Sequence, residues 1–228
     1  MEEKTVRAAY MGQVTYFTKE QKIILQEFKE DDVLRSLFYL TGGTALSAVY
    51  LNHRLSDDLD FFSENQYDRQ LVVDRITAWG EKLKLEISST SNERVQIFNL
   101  IFPGGEPLKV DFAYYPHKRI GEATVIDLVE IDSLNDIAAN KLMTINQRTE
   151  VKDYVDLFFL LKQFTVWDLI EGVRLKFKIK LEPFVVGSDF LKIESFEFLP
   201  KMIKSLTLAE LKAFFTEKAK KLASAATT

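Results

Sequence analysis

The 228-residue chain contains no cysteine. That excludes a disulfide framework, a thiolate metal centre, an iron–sulfur cluster and a cysteine nucleophile. It has 2 histidines, too few for a His-rich zinc site. With 5 prolines and 9 glycines it is neither collagen-like nor of low complexity. No apolar run approaches the ~20 residues that a membrane helix needs, so no membrane partner is expected. The first residues, MEEKTVRAAY, carry acids where a secretory leader carries basic residues, and no apolar stretch follows. The chain therefore reads as cytoplasmic. What is present is ordinary for a folded protein: 46% hydrophobic and 28% charged residues, in a length that can bury a sizeable core.

Charge is unevenly spread. Residues 174–228 hold 11 Lys and Arg against 6 Asp and Glu, a net of +5, and the remainder holds 19 against 28, a net of −9. A basic tail suits a polyanionic partner, or is a solvated helical surface. Arg174, Lys176, Lys178 and Lys180 come closest together, and beside an acidic metal site they would supply a track for a polynucleotide.

No repeat of solenoid period is present. Thr18 can cap a helix with Ile23, Ile24 and Phe28 at helical spacing, continued by Val33 and Leu34. Residues 37–40 read as a buried strand closed by Thr41-Gly42-Gly43, and 44–52 as a short helix. A strand at 58–62 follows, then a helix at 68–83, then strand-like runs at 85–89, 95–102 and 108–115. From about Val125 the pattern turns helical. Ser133 can cap a helix to about 148, others run over 151–161 and from Thr165, and 206–222 is helical after breaks at Pro183 and Pro200. The expected architecture is α/β of the α+β kind. A helical segment over 1–35 precedes a mixed sheet with flanking helices over 36–122, and a mainly helical region occupies 123–228.

Four constellations can carry chemistry. Gly42-Gly43-Thr44, between a strand and a helix, lets the backbone approach a phosphate closely, or is a tight turn. In Ser56-Asp57-Asp58-Leu59-Asp60-Phe61-Phe62 the strand period aims Asp58 and Asp60 to one side and Leu59 and Phe61 to the other. Adjacent carboxylates repel unless a cation sits between them, and hard oxygens suit Mg2+ or Mn2+; a solvated acidic strand end is the alternative. In Lys109-Val110-Asp111-Phe112, Asp111 lies opposite the apolar face. If that strand neighbours the acidic one, Asp111 completes a three-carboxylate cluster able to hold two ions for in-line nucleotidyl transfer. Finally, Lys141 and Arg148 are seven apart on one helical face, ahead of Lys152, Asp153 and Asp156. Lys141 would clamp a triphosphate as a compact point charge, while surface salt bridges also account for Lys152, Asp153 and Asp156. His53 is a general base or a hydrogen-bonded structural residue.

These residues carry a resemblance. Gly42-Gly43-Thr44-Ala45-Leu46, followed by His53-Arg54-x-Ser56-x-Asp58-Leu59-Asp60-Phe61-Phe62, resembles the first motif of the AbiEii/AbiGii toxin family of nucleotidyltransferases. Val110-Asp111-Phe112 is similar to its next carboxylate strand. Asp136-Ile137-x-Ala139-x-Lys141, Arg148 and Lys152-Asp153-Tyr154-x-Asp156-Leu157 are similar to its helical motif. The resemblance spans about half the chain. It implies a nucleotidyltransferase fold of the DNA polymerase β-like superfamily, an NTP substrate with Mg2+ or Mn2+, an RNA acceptor such as the tRNA 3′ end, and a cognate antitoxin. It makes Asp58, Asp60 and Asp111 the metal-holding catalytic acids, and Asp153 or Asp156 a further essential acid. Gly42, Gly43, Thr44, Ser56 and Lys141 become the nucleotide-binding set. The superfamily's usual Gly-Ser is here Gly42-Gly43-Thr44, which keeps a hydroxyl. Two other readings stand beside this one. One is a degenerate module that binds nucleotide or a partner without turnover. The other is a nucleotidyltransferase acting on a protein or a small molecule.

Overall fold

The computed structural model describes residues 17–225. They form two compact units. One takes the described residues through Tyr50, with Ser56–Lys118 and Glu122–Ser133; the other takes Leu51–Leu55, Arg119–Gly121 and the chain from Leu134.

The first unit is built on a sheet. It opens with α1 (Lys19–Glu30), started by a capping box in which Thr18 accepts from the Gln21 N–H and the Gln21 side chain accepts from the Thr18 N–H. Asp31 ends α1 and caps α2 (Asp32–Leu37) by accepting from Val33 and Leu34. This second cap keeps residue 37 helical, so the first strand, β1 (Tyr39–Thr41), starts later than its apolar run suggests. A short turn, α3 (Gly42–Ala45), continues as a π-helical turn over Leu46–Leu51. Then come β2 (Leu59–Ser63), α4 (Arg69–Leu83, capped by Asp68), β3 (Glu86–Ser91), β4 (Val95–Ile101) and β5 (Pro107–Tyr114). The stretch from Val125, read as the start of helical sequence, instead forms a hairpin of β6 (Thr124–Ile126) and β7 (Val129–Ile131).

The seven strands lie in the order β3-β4-β5-β2-β1-β7-β6. β2 with β5 and β1 with β7 are parallel and the other pairs antiparallel, so the sheet is mixed, as expected. Leu59 and Phe61 of β2, Val110 and Phe112 of β5 and Leu40 of β1 are buried together. Phe28 of α1 stacks on Phe61 at 4.2 Å, and Phe61 on Phe112 at 5.1 Å. Strand alternation then leaves Asp60 and Asp111 on the opposite face.

The second unit is helical: α5 (Leu134–Gln147), α6 (Val151–Leu160), α7 (Val166–Phe177), α8 (Pro183–Leu191) and α9 (Leu208–Ala225). Thr165 and Asp168 form a capping box on α7, and Pro183 occupies the first turn of α8, where its missing N–H costs nothing. Tyr154, Phe190 and Phe215 form an aromatic core, with Phe215 at 5.3 Å from Tyr154 and 5.0 Å from Phe190. Buried Asp136 accepts from the backbone of Ile120 at 3.0 Å and Gly121 at 2.9 Å and pairs with buried Lys176 at 2.7 Å. Among the described residues no helix is long and apolar enough to cross a membrane.

Candidate active site

The sheet unit brings three of the singled-out carboxylates together. β2 and β5 run side by side in parallel with Asp60 opposite Asp111, so the two side chains leave the sheet on one face, one strand spacing apart. Asp58 lies just before β2. Lys109, two residues before Asp111 and hence on its face, sends its ammonium 2.7 Å from Asp111 Oδ2 and 3.7 Å from Asp58 Oδ2. Partial burial works against that charge, yet Asp111, Asp58 and Asp60 outweigh it and hold the Lys109 pKa above the ordinary lysine value. One ammonium thus pairs with Asp111 and Asp58, and Asp60 is near enough to add to the rise in its pKa. The run Lys109-Val110-Asp111 is visible in the sequence, but only the strand order reveals that Lys109 also serves Asp58.

The turn after β1 lies at the same end of the sheet. Thr41 pairs with Asp60 across the antiparallel β1–β2 ladder, so Gly42 emerges beside that carboxylate. Gly42 has φ +74°, and a Cβ there would collide with the Asp60 carboxylate. Glycine is needed here for the left-handed backbone and for the close approach. Gly43 follows in the same turn. The Thr44 hydroxyl donates to the Asp58 carbonyl, tying the turn to the acidic segment. Ser56 is fixed through its carbonyl, which accepts from Gln21 Nε2 at 2.8 Å.

Lys141, Asp153 and Asp156 belong to the helical unit and also converge. Asp153 and Asp156 are fully buried, so they are not the surface charges that their helical spacing alone permits. Lys141 Nζ lies 2.8 Å from Asp153 Oδ1 and 2.5 Å from Asp156 Oδ2. Arg148 Nε reaches Asp153 Oδ2 at 2.9 Å, so the two cations spaced seven apart meet on one acid. Asp156 also takes both Arg54 Nε at 2.6 Å and Arg54 Nη2 at 2.9 Å, and His53 Nε2 at 2.7 Å. Burial pushes the Asp156 carboxyl up, but Lys141 and Arg54 dominate and hold it well below the usual carboxylate range. Asp153 is likewise lowered against its burial by Lys141 and Arg148. Lys141 stays charged because Asp156 and Asp153 overcome its desolvation. Burial lowers His53, so the imidazole is neutral near pH 7 and donates through Nε2 to Asp156. His53 is thus a fully buried hydrogen-bond partner of Asp156. His53 and Arg54 were missed as partners of Asp156 because about a hundred residues separate them.

The basic run of residues 174–180 does not form a free cationic stripe. Lys176 is buried on Asp136, Arg174 pairs with Glu171 at 2.6 Å and Lys180 with Glu182 at 2.9 Å. As for metals, among the described residues no three acidic or histidine side chains already stand in a metal-holding arrangement. Asp58 and Asp111 instead share the Lys109 ammonium.

The family model described as "Nucleotidyl transferase AbiEii toxin, Type IV TA system" matches residues 23–226. A protein of Aquifex aeolicus (strain VF5), the uncharacterized aq_aa25, is 33% identical over 161 residues, which cover 69% of this chain and 72% of that protein. JHP933 from Helicobacter pylori has a similar fold, with a TM-score of 0.55 at 22% identity over 92% of this chain and 96% of that one. MenT4, a nucleotidyltransferase toxin from Mycobacterium tuberculosis H37Rv, aligns with a TM-score of 0.49 at 15% identity over 95% of this chain and 89% of that one.

Proposed function

The chain belongs to the AbiEii nucleotidyl transferase toxin family, and from that premise we propose that it is a metal-dependent enzyme of the cytoplasm that moves a nucleoside monophosphate from an NTP onto RNA, the tRNA 3′ end above all, as the toxin of a toxin–antitoxin pair. The observation that carries this reading is the register of Asp60 against Asp111 on adjoining parallel strands, with Asp111 and Asp58 meeting on one ammonium.

The donor chemistry of these residues suits a divalent ion. All three donors are hard carboxylate oxygens, as Mg2+ and Mn2+ require. Lys109 stands in for the cation, marking a place where positive charge is stabilised. Gly42 keeps the space beside Asp60 clear. In this proposal Asp58, Asp60 and Asp111 hold the metal, which when bound neutralises the triphosphate and acidifies the attacking hydroxyl.

The chain's own groups supply the rest. The Gly42-Gly43-Thr44 backbone approaches the phosphates without a side chain in the way. The Ser56 hydroxyl donates to a phosphate oxygen. Lys141 binds the triphosphate: an ammonium has three N–H donors, and Asp153 and Asp156 use two, leaving the third for a phosphate oxygen. Those acids act by positioning, since they hold a flexible lysine in one orientation. Lys109 competes with the metal for Asp58 and Asp111.

The test is incubation with each labelled NTP in turn, Mg2+ and total tRNA. The reading expects label on tRNA that chelation abolishes. Label on protein or a small molecule alone overturns the acceptor, and no turnover with any NTP overturns the enzyme reading in favour of a nucleotide-binding module. Expression should arrest growth, with relief by the neighbouring antitoxin gene.

A further inference from the structure

We propose that the helical unit carries a binding site for single-stranded RNA, in which the Trp167 ring stacks on a base while Lys162, Lys218 and Lys221 meet the flanking phosphates. These residues, with Gln163 and Thr165, line a cavity of about 490 Å³ where the α6–α7 connection lies against α9. The site deepens the RNA reading above, on which its biological role rests.

Trp167 is 51% exposed, whereas the chain's other tryptophan, Trp79, is 5% exposed. A large aromatic face left open beside cations is the arrangement by which single-stranded nucleic acid is held. Two of the cations rest on aromatic rings. Lys162 Nζ lies 4.3 Å from the Phe158 ring centroid and Lys218 Nζ 5.2 Å from that of Phe214. The two rings pack edge to face at 4.8 Å. Aromatic faces therefore position both ammoniums without neutralising them, and among the described residues neither is in ion-pair contact with a carboxylate. Lys221 does pair with Glu217, at 2.5 Å, but both are exposed, and such a pair exchanges readily for a phosphate. The other nearby acids serve in helix caps. Asp168 accepts from Thr165 N–H at 2.7 Å, and Glu210 accepts from Thr207 N–H at 2.7 Å.

The cavity thus combines a stacking face, ammonium groups held on aromatic rings, and the Gln163 side chain. A duplex hides its base faces, and an acidic peptide without aromatic residues has nothing to stack on Trp167. A single strand with a free base satisfies every part.

The experiment is a fluorescence-anisotropy titration of a labelled eight-nucleotide RNA with the full chain, without NTP, at several salt concentrations. Trp167→Ala should weaken binding roughly 5- to 100-fold, the range for losing one base–aromatic stack, and Trp167→Phe should recover most of that loss. In Lys162→Gln/Lys218→Gln the log–log salt dependence should become shallower by roughly 1.4, about 0.7 for each lost phosphate contact. Unchanged affinity in these variants overturns the site, as does equal affinity for duplex RNA or for poly-glutamate. Transfer to tRNA by Trp167→Ala with an unaltered KM for tRNA also overturns it, while leaving the RNA acceptor standing. Conversely, wild-type protein that binds the octamer through Trp167 but labels no RNA supports the site and removes the acceptor reading.

Discussion

Asp156→Asn keeps the shape of the side chain and removes its charge, so it isolates what the buried network of the helical unit is worth. The wild-type carboxylate is fully buried and answers Arg54, His53 and Lys141. A carboxamide there turns an NH2 towards some of those donors, and of its two carboxylate contacts Lys141 keeps Asp153 alone. Stranding one member of a buried ion pair costs about 3–5 kcal/mol, and here two nearly buried cations lose the same partner. A loss of about 4 kcal/mol is expected, a large part of the ~5–15 kcal/mol by which folded proteins are stable. For a chain of this length it corresponds to a fall in Tm of roughly 8–16 °C. Urea unfolding at pH 7 measures it, as a lower midpoint at constant slope. The pH dependence gives a second check. The folded-state pKa of Asp156 lies well below its unfolded value, so its stabilisation is complete above about pH 4 and drains away as pH falls through the folded pKa. Wild type and variant should therefore converge in strong acid. A loss under about 1 kcal/mol at pH 7, or a gap that does not narrow in acid, refutes the reasoning.

Three further outcomes follow from single contacts. Gly42→Ala should cost more stability in thermal melts than Gly104→Ala. Both have positive φ, worth roughly 1–2 kcal/mol of strain in a non-glycine residue, but only the Gly42 Cβ strikes Asp60; equal losses would remove the close-approach argument. Lys109→Gln takes away the competing cation, so Mn2+ should bind more tightly in calorimetric titration, and weaker binding would show that Lys109 supports the metal site instead. Burial depresses His53 in the folded state, so its contribution is present above about pH 6.5 and is lost as pH falls through the folded pKa. His53→Gln should flatten the stability profile just below pH 6.5, and an unchanged slope there would mean the imidazole is protonated in place.

Much of this organisation was legible from local rules. Thr18 and Thr165 mark helix starts in the sequence, and both helices start there, each with a capping box. Apolar alternation in 108–112 placed Asp111 opposite Leu108, Val110 and Phe112, and that face is the one it takes. The β6–β7 hairpin was not legible. Its strands are three residues long, Val125 and Leu128 are exposed, and its turn uses left-handed Asp127 and Leu128 rather than a glycine. Periodicity has nothing to act on there. Nor was the burial of Asp156 legible, because i,i+3 and i,i+4 spacings look the same on a wetted helix and on one whose charges are answered by distant partners. In the basic run of 174–180 one residue was illegible for the same reason: composition counts Lys176 as surface charge, while the fold buries it on Asp136.

The central claim, that Asp58, Asp60 and Asp111 form the metal-dependent transfer site, is tested most directly by Asp60→Asn. The substitution relieves carboxylate repulsion next to Asp111 and Asp58 and takes away one hard donor. Circular dichroism and melting should show a protein folded as stably as wild type, within about 1 kcal/mol. With labelled NTP, Mg2+ and tRNA it should transfer at less than about one-hundredth of the wild-type rate, the scale of losing a preorganised charge in an active site. Transfer at the wild-type rate by folded Asp60→Asn protein, or wild-type transfer that survives full chelation of divalent ions, would contradict the account.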